Sequence, residues 1–373
     1  MTPLLKHALP ISQYLAAGLL VLAPSCAVQA AGKAAAAAVN CEHPAAADQI
    51  HPVVNVRIDN DLFGGMGQDR GYSNGFELTL MSSNLNDFKH PECLPLVMRG
   101  VNNYLEWLRR VSGLDQPWTH KNVVIGLGQA IYTPSSKTAT ELVPNDRPYA
   151  AALLLNLGYN ARTNNYLRTS HLYLGVVGPA ALGEEVQNNW HKLIGVTPFE
   201  GWRNQLHNEP VAMLVHEQLR RTGSAPSRSG WGWDAIGHVG GALGNLATYL
   251  DTGAELRLGW HLPDDFGSDP MRPAGQNNAP GNMRKTSSPW AGHVFVSLDT
   301  KAVAHDLTLD GNTFEDSHSV KKKPFVADFG HGAAINYGGW KFAFARHKRT
   351  REFYTQEQRP AFGSFTISWQ SGL

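Results

Sequence analysis

Apolar and polar residues alternate one by one along most of this chain. "VVNVRIDN" (53–60) and "GFELTLMS" (75–82) show the pattern at the start, and "WKFAFARHKRT" (340–350), which puts Trp340, Phe342 and Phe344 on one face, shows it near the end. A period of two is the signature of an extended strand with two unlike faces. Between them lie runs at 122–132, 149–160, 166–178, 212–221, 233–244, 246–261, 292–307 and 325–338, and the last run is 362–370. Together these predict twelve strands. With one face apolar and the other mixed, they read as the wall of an all-β, transmembrane antiparallel barrel, which an even strand number closes without an exposed edge. The connections differ in length. Residues 159–167 and 337–341 are tight and rich in Asn or Gly, whereas 83–121, 179–211 and 262–291 are long. This predicts short turns on one rim and long loops on the other. The Pro-, Gly-, Asn- and Asp-rich stretch 262–291 reads as a mobile outer loop without chemistry.

One long connection changes period. In "GEEVQNNWHKLIGVTPFEGWRNQL" (183–206), Glu184, Gln187 and His191 recur at helical spacing, Gly195 is a stop, and Pro198 follows it. A helix of about three turns is expected in this extracellular loop. Gln187 and His191, four apart, leave it on the same face.

Composition narrows the class. The net charge is +1, only 17% of residues are charged, and the chain holds 10 Trp, 11 Tyr and 14 Phe. No basic cluster invites nucleic acid. No apolar run is long enough for a membrane-spanning helix. Lys6 and His7, the apolar run Tyr14–Leu22, Pro24 and the small-residue stretch Ala27-Val28-Gln29-Ala30 have the layout of a signal peptide cleaved after Ala30. The division expected is therefore a signal at 1–30, an Ala-rich tail at 31–52 and a barrel at 53–373. Cys41 and Cys93 remain after processing and can pair in an oxidising compartment or persist as thiols.

Candidate chemistry gathers at two places. "RIDNDLFGGMGQDRGYSNGFEL" (57–78) is rich in turn formers, but Asn60 and Asp61 at the end of the first strand also offer oxygen ligands of the kind Ca²⁺ takes, and Ser73 offers a hydroxyl at the start of the next. His191, with Gln187 beside it, is the candidate water activator, set against the bland reading of an exposed helix histidine. Ser73 lacks the Gly-x-Ser-x-Gly elbow of a nucleophile. Asp69-Arg70 and Asp146-Arg147 read as loop-bracing ion pairs. Zinc, phosphate-loop and dinucleotide signatures are absent.

Taken in order, "NDLFGG…DRGYSNG", "YTP", "NDRPYAA" and "GVVGPAALGEEVQNNWHKLIG…GWRNQL" resemble the outer-membrane lipid A 3-O-deacylases, over roughly residues 53 to 206. The resemblance implies a twelve-stranded barrel with its site between the wall and a loop helix. It implies Ca²⁺, and a histidine that activates water to release the 3′-acyloxyacyl group of lipid A. The substrate would be lipopolysaccharide, met among outer-membrane lipids of a two-membrane bacterium. Asn60 and Asp61 match the family's Asn-Asp pair, Ser73 stands where a member has Thr, and Gln187 and His191 match the helix pair. Thr197 stands where a member has an acid, and nearby Glu200 is the candidate replacement ligand. A phospholipase-type esterase and a non-enzymatic, porin-like barrel are the alternatives.

Overall fold

In the computed structural model, residues 52–64, 70–85, 99–100, 103, 118–223, 230–268 and 288–370 are described. The signal segment, residues 31–51 of the tail, Cys41, Cys93 and Asp69 lie outside them. Twelve strands form one closed antiparallel barrel. They are β1 (Val53–Asn60), β2 (Gly71–Met81), β3 (His120–Thr133), β4 (Ala150–Arg162), β5 (Tyr166–Val177), β6 (Glu209–Gly223), β7 (Trp231–Gly244), β8 (Ala247–Trp260), β9 (Trp290–Asp306), β10 (Phe325–Tyr337), β11 (Trp340–Arg349) and β12 (Ala361–Gln370). Each strand pairs with its sequence neighbours, and β1 closes on β12 from Val53↔Gln370 to Asn60↔Gly363. Two α-helices that lie wholly within the described residues sit in connections: α1 (Gly183–Ile194) between β5 and β6, and the single turn α2 (Leu307–Asp310) after β9. No helix among the described residues is long and apolar enough to cross a membrane.

The period-two pattern divides the wall as expected. On β8, Leu250, Leu256 and Leu258 are exposed while Asp251, Glu255 and Arg257 between them are buried. The outward residues make the apolar band that lipid requires, and the inward ones fill the lumen with paired charges. Arg349 grips Asp328 with Nε and Nη2 at 2.7 and 2.9 Å, and Arg57 Nε lies 2.9 Å from Asp59. Trp231, Trp290, Trp340 and Trp369 stand exposed at the strand ends on the rim that holds both ends of the barrel sequence. Trp290 packs on Tyr337 at 4.5 Å and Trp340 near Trp369 at 6.0 Å, forming part of an interfacial aromatic girdle.

The rims differ from the sequence expectation. Strand direction alternates, so a connection's rim depends on which strand it follows, not on its length. The long connections after β2 and β8 join strand ends on the rim of the chain ends, beside the short turns 163–165 and 338–339. The helix-bearing segment 178–208 follows β5 and lies on the opposite rim, beside the two-residue turn 245–246. Long and short connections are therefore mixed on each rim. Nor is the start of 262–291 an outer loop. Asp265, Phe266 and Ser268 are buried. Asp265 is bonded to Arg257 and, at 2.8 Å, to Lys341 Nζ, while Ser268 N–H donates to Glu255 at 2.9 Å and its Oγ meets His293 Nε2 at 2.7 Å. This segment folds inward and plugs that end of the lumen.

Candidate active site

The helix α1 is built from local signals. Glu184 and Glu185 lie in its first turn, where the dipole favours negative charge. It ends at Gly195, whose φ of 72° is a left-handed cap. Its start is pinned to the wall, where Gln129 Nε2 on β3 donates to Ala181 O at 2.6 Å. A Cβ on Gly183 would come within 2.4 Å of the Ala151 Cβ on β4, so glycine here permits a close approach. Under the helix, Ile131, Tyr149, Ala151, Ala181, Phe199 and Trp202 form an apolar cluster. Burial pushes the Tyr149 phenol up to about 12, so that it stays neutral among them.

The helix histidine is not solvated. His191 and Gln187 are both buried, facing the wall, whereas Leu182, Val186 and Leu193 are exposed. The His191 ring lies 5.5 Å from that of Phe199. Its Nδ1 is 2.7 Å from the Thr197 carbonyl oxygen. A carbonyl only accepts, so Nδ1 carries the proton and Nε2 presents its lone pair. Gln187 Nε2 is 3.0 Å from that Nε2 and donates to it. The departure at Thr197 thus leaves the ring with a partner, because the main chain of residue 197 supplies it. Asn188, which the sequence reading passed over, holds that main chain in place. Its Oδ1 accepts from Phe199 N–H at 3.1 Å and its Nδ2 donates to Phe199 O at 3.4 Å.

The wall residues form a second group. Asn60 Oδ1 accepts from Leu62 N–H at 2.9 Å, and its Nδ2 donates to Ser73 O at 3.3 Å. Asp61 opens a 3-10 turn, Asp61–Gly64, and is 1% exposed. Ser73 lies two residues inside β2, which begins earlier than the alternation suggested. It occupies a bulge: Tyr72 pairs with Tyr132 and Asn74 with Ile131, leaving Ser73 between them. Bulges re-aim side chains, and its Oγ donates to Ile131 O at 3.3 Å. Register links the two groups: Asn60 lies opposite Asn74, Asn74 opposite Ile131, and Ile131 opposite Ala151, on which α1 rests. Ile131 also belongs to the cluster beneath Phe199 and His191. The two groups are therefore on the same rim, joined through β3 and β4.

Glu200 is not drawn in with them. It is exposed, and its N–H donates to Lys137 O at 2.9 Å. Asp146 and Arg147 do not pair as read from sequence. Asp146 accepts from Ser135 N–H at 2.7 Å, while Arg147 turns inward to Thr308 Oγ1 at 2.8 Å and Glu352 at 3.2 Å.

The outer-membrane protein LpxR family model matches residues 22–371. The chain belongs to the LpxR family. Among solved structures it is similar to LpxR from Salmonella typhimurium, with a TM-score of 0.66 and 23% identity, covering 86% of this chain and 100% of that one. At that identity the likeness shows the fold: a closed twelve-stranded barrel of the LpxR type. The β domain of the Bordetella autotransporter BrkA is far more distant, at a TM-score of 0.40 and 8% identity over 86% of this chain and 99% of that one, and carries no argument. No curated protein matches the chain. LpxR-family membership and the barrel together make this an outer-membrane protein.

Proposed function

We propose that this LpxR-family barrel is an esterase that hydrolyses the 3′-acyloxyacyl ester of lipid A in the outer leaflet. The observation that carries the reading is His191, buried against the wall with its tautomer set by the Thr197 carbonyl. A surface histidine has no reason to be so held. Exposed Val186 and Leu193 on the same helix, with Leu182 at its start, offer an apolar flank to acyl chains.

In this mechanism, water takes the place of the Gln187 amide at His191 Nε2, and Gln187 helps to orient it. Nε2 removes a proton as the water oxygen bonds to the ester carbonyl carbon. The tetrahedral intermediate then collapses and breaks the ester C–O bond. Imidazolium Nε2 returns the proton to the departing sugar oxygen, leaving a free acid and a 3′-hydroxyl. The Thr197 carbonyl stabilises the imidazolium through Nδ1–H.

The wall residues suit a hard cation, because Asp61 contributes a buried carboxylate and its neighbours Asn60 and Ser73 contribute amide, carbonyl and hydroxyl oxygens. Asn60 and Asp61, with Ser73 alongside, would hold Ca²⁺, which when bound polarises the ester carbonyl. Glu200, exposed, is left out of this set.

The test is purified protein with lipid A in detergent, products read by mass spectrometry, with and without chelator. Release of the 3′ acyloxyacyl acid is expected, reduced about 10²–10⁴-fold in His191→Ala. Full-rate release by that variant ends the mechanism. Preferential cleavage of phospholipid offered in the same preparation replaces the substrate assignment.

A further inference from the structure

Away from α1, on the β6–β9 side of the barrel, four ionisable side chains meet in the lumen. His238 Nε2 lies 2.8 Å from Asp299 Oδ2 and 3.6 Å from Asp251 Oδ2. One ligand atom from each of His238, Asp251 and Asp299 falls within 4.8 Å of the others. Glu217 lies on the same lumen face, opposite Gly240 of β7 from one side as Asp251 is from the other. All four residues are buried.

Two glycines make the convergence possible. Glu217 on β6 and Asp251 on β8 both lie opposite Gly240 of β7, and His238 on β7 and Asp299 on β9 both lie opposite Gly253 of β8. Residues two strands apart ordinarily have a side chain between them. Here a Cβ at Gly240 would sit 2.7 Å from Glu217 Cγ, and one at Gly253 would sit 2.6 Å from His238 Cε1. The missing side chains let each pair close over the intervening strand.

The charge is unbalanced. Lys301 Nζ stands 3.9 Å from Asp299 Oδ1, opposite Asp251 in register. With the His238 imidazole neutral, as a metal ligand is, three carboxylates against one ammonium leave two negative charges, as many as one divalent cation neutralises. Asp251 Oδ1, 4% exposed as a residue, accepts no hydrogen bond from any described residue. A buried carboxylate against another carboxylate is costly unless a proton or a metal lies between them. Beside the cluster, Tyr249 and Lys301 line a cavity of about 240 Å³ that extends to Asp306 and Thr308 near the α1 rim.

We propose that His238, Asp251 and Asp299, with Glu217 as fourth ligand, form a divalent metal site of mixed nitrogen and oxygen donors, of the class that takes Zn²⁺. One imidazole with carboxylates suits zinc better than calcium, which prefers oxygen alone. Bound there, the ion ties β6, β7, β8 and β9 together. The site is separate from the proposed esterase centre on β1, β2 and α1, so either assignment can fail without the other.

The experiment uses folded full-length protein in detergent, stripped with chelator and titrated with Zn²⁺ alone. Bound metal is counted by mass spectrometry, and folding is checked by heat-modifiable gel mobility. One Zn²⁺ per chain is expected for the wild type and for Asp61→Asn. Asp251→Asn and His238→Gln are expected to bind at least tenfold more weakly. Absence of stoichiometric zinc, or equal binding by both cluster variants, overturns the site. If those variants do not fold, X-ray absorption on the zinc-loaded wild type decides: one nitrogen with oxygens supports the assignment, and a shell of several imidazoles refutes it.

Discussion

At the scale of single residues, the geometry around His191 separates what a side chain does from what the main chain does. The ring's partner at residue 197 is a carbonyl oxygen. Thr197→Ala should therefore keep activity within about twofold, a comparison that steady-state deacylation assays make directly. His191→Ala should lose about 10²–10⁴-fold, the usual worth of a general base. Asn188→Ala should fall between these, with kcat reduced more than KM, because it releases the Phe199 main chain that positions the carbonyl. The sequence made the Gln-x-x-x-His pair legible, since i,i+4 spacing is a local property. It did not reveal Asn188, whose partner lies eleven residues away across a turn. Nor did it reveal the inward swing of Arg147 to Glu352, 205 residues distant.

At the scale of elements, one cap and a plug carry the burden. Gly195 ends α1 at φ 72° with open space around its missing side chain, so Gly195→Ala adds backbone strain without a clash. A cost of about 1 kcal/mol to the helix end is expected, read as faster proteolysis of the 178–208 segment. The inward plug makes a pH prediction. Burial pushes the Asp265 carboxyl up, but Lys341 and Arg257 outweigh this and hold it well below the usual carboxylate range. A depressed value stabilises the fold above the unfolded carboxylate's pKa, about 3.9, and the contribution fades as pH falls below it. Asp265→Asn should thus lower the unfolding temperature in detergent at pH 7, with the gap to wild type narrowing below about pH 4. All twelve strands were legible because a wall between lipid and polar lumen imposes alternation on each one separately. The plug was not, because Pro, Gly, Asn and Asp mark loops whether they turn outward or inward.

At the scale of the whole molecule, strand parity sets which end faces which compartment. With the chain ends inside, as in outer-membrane barrels generally, α1 is outside. A cysteine placed at Lys192 should then react with an impermeant thiol reagent on intact cells, and one placed at Asn164 should react only after lysis. Rim assignment is not legible from loop length, because direction of travel along the strands decides it.

The seam between β1 and β12 joins residues some three hundred apart, and Asp59 fastens it, accepting from Ser364 Oγ at 2.5 Å and from Tyr72 at 2.6 Å. Contacts so distant along the chain are entropically the dearest to form. Asn60 and Asp61 follow directly on that fastener. A barrel still unzipped in transit would carry its helix histidine but hold no finished wall beside it, so the proposed hydrolytic competence would arrive only with complete assembly, in the membrane.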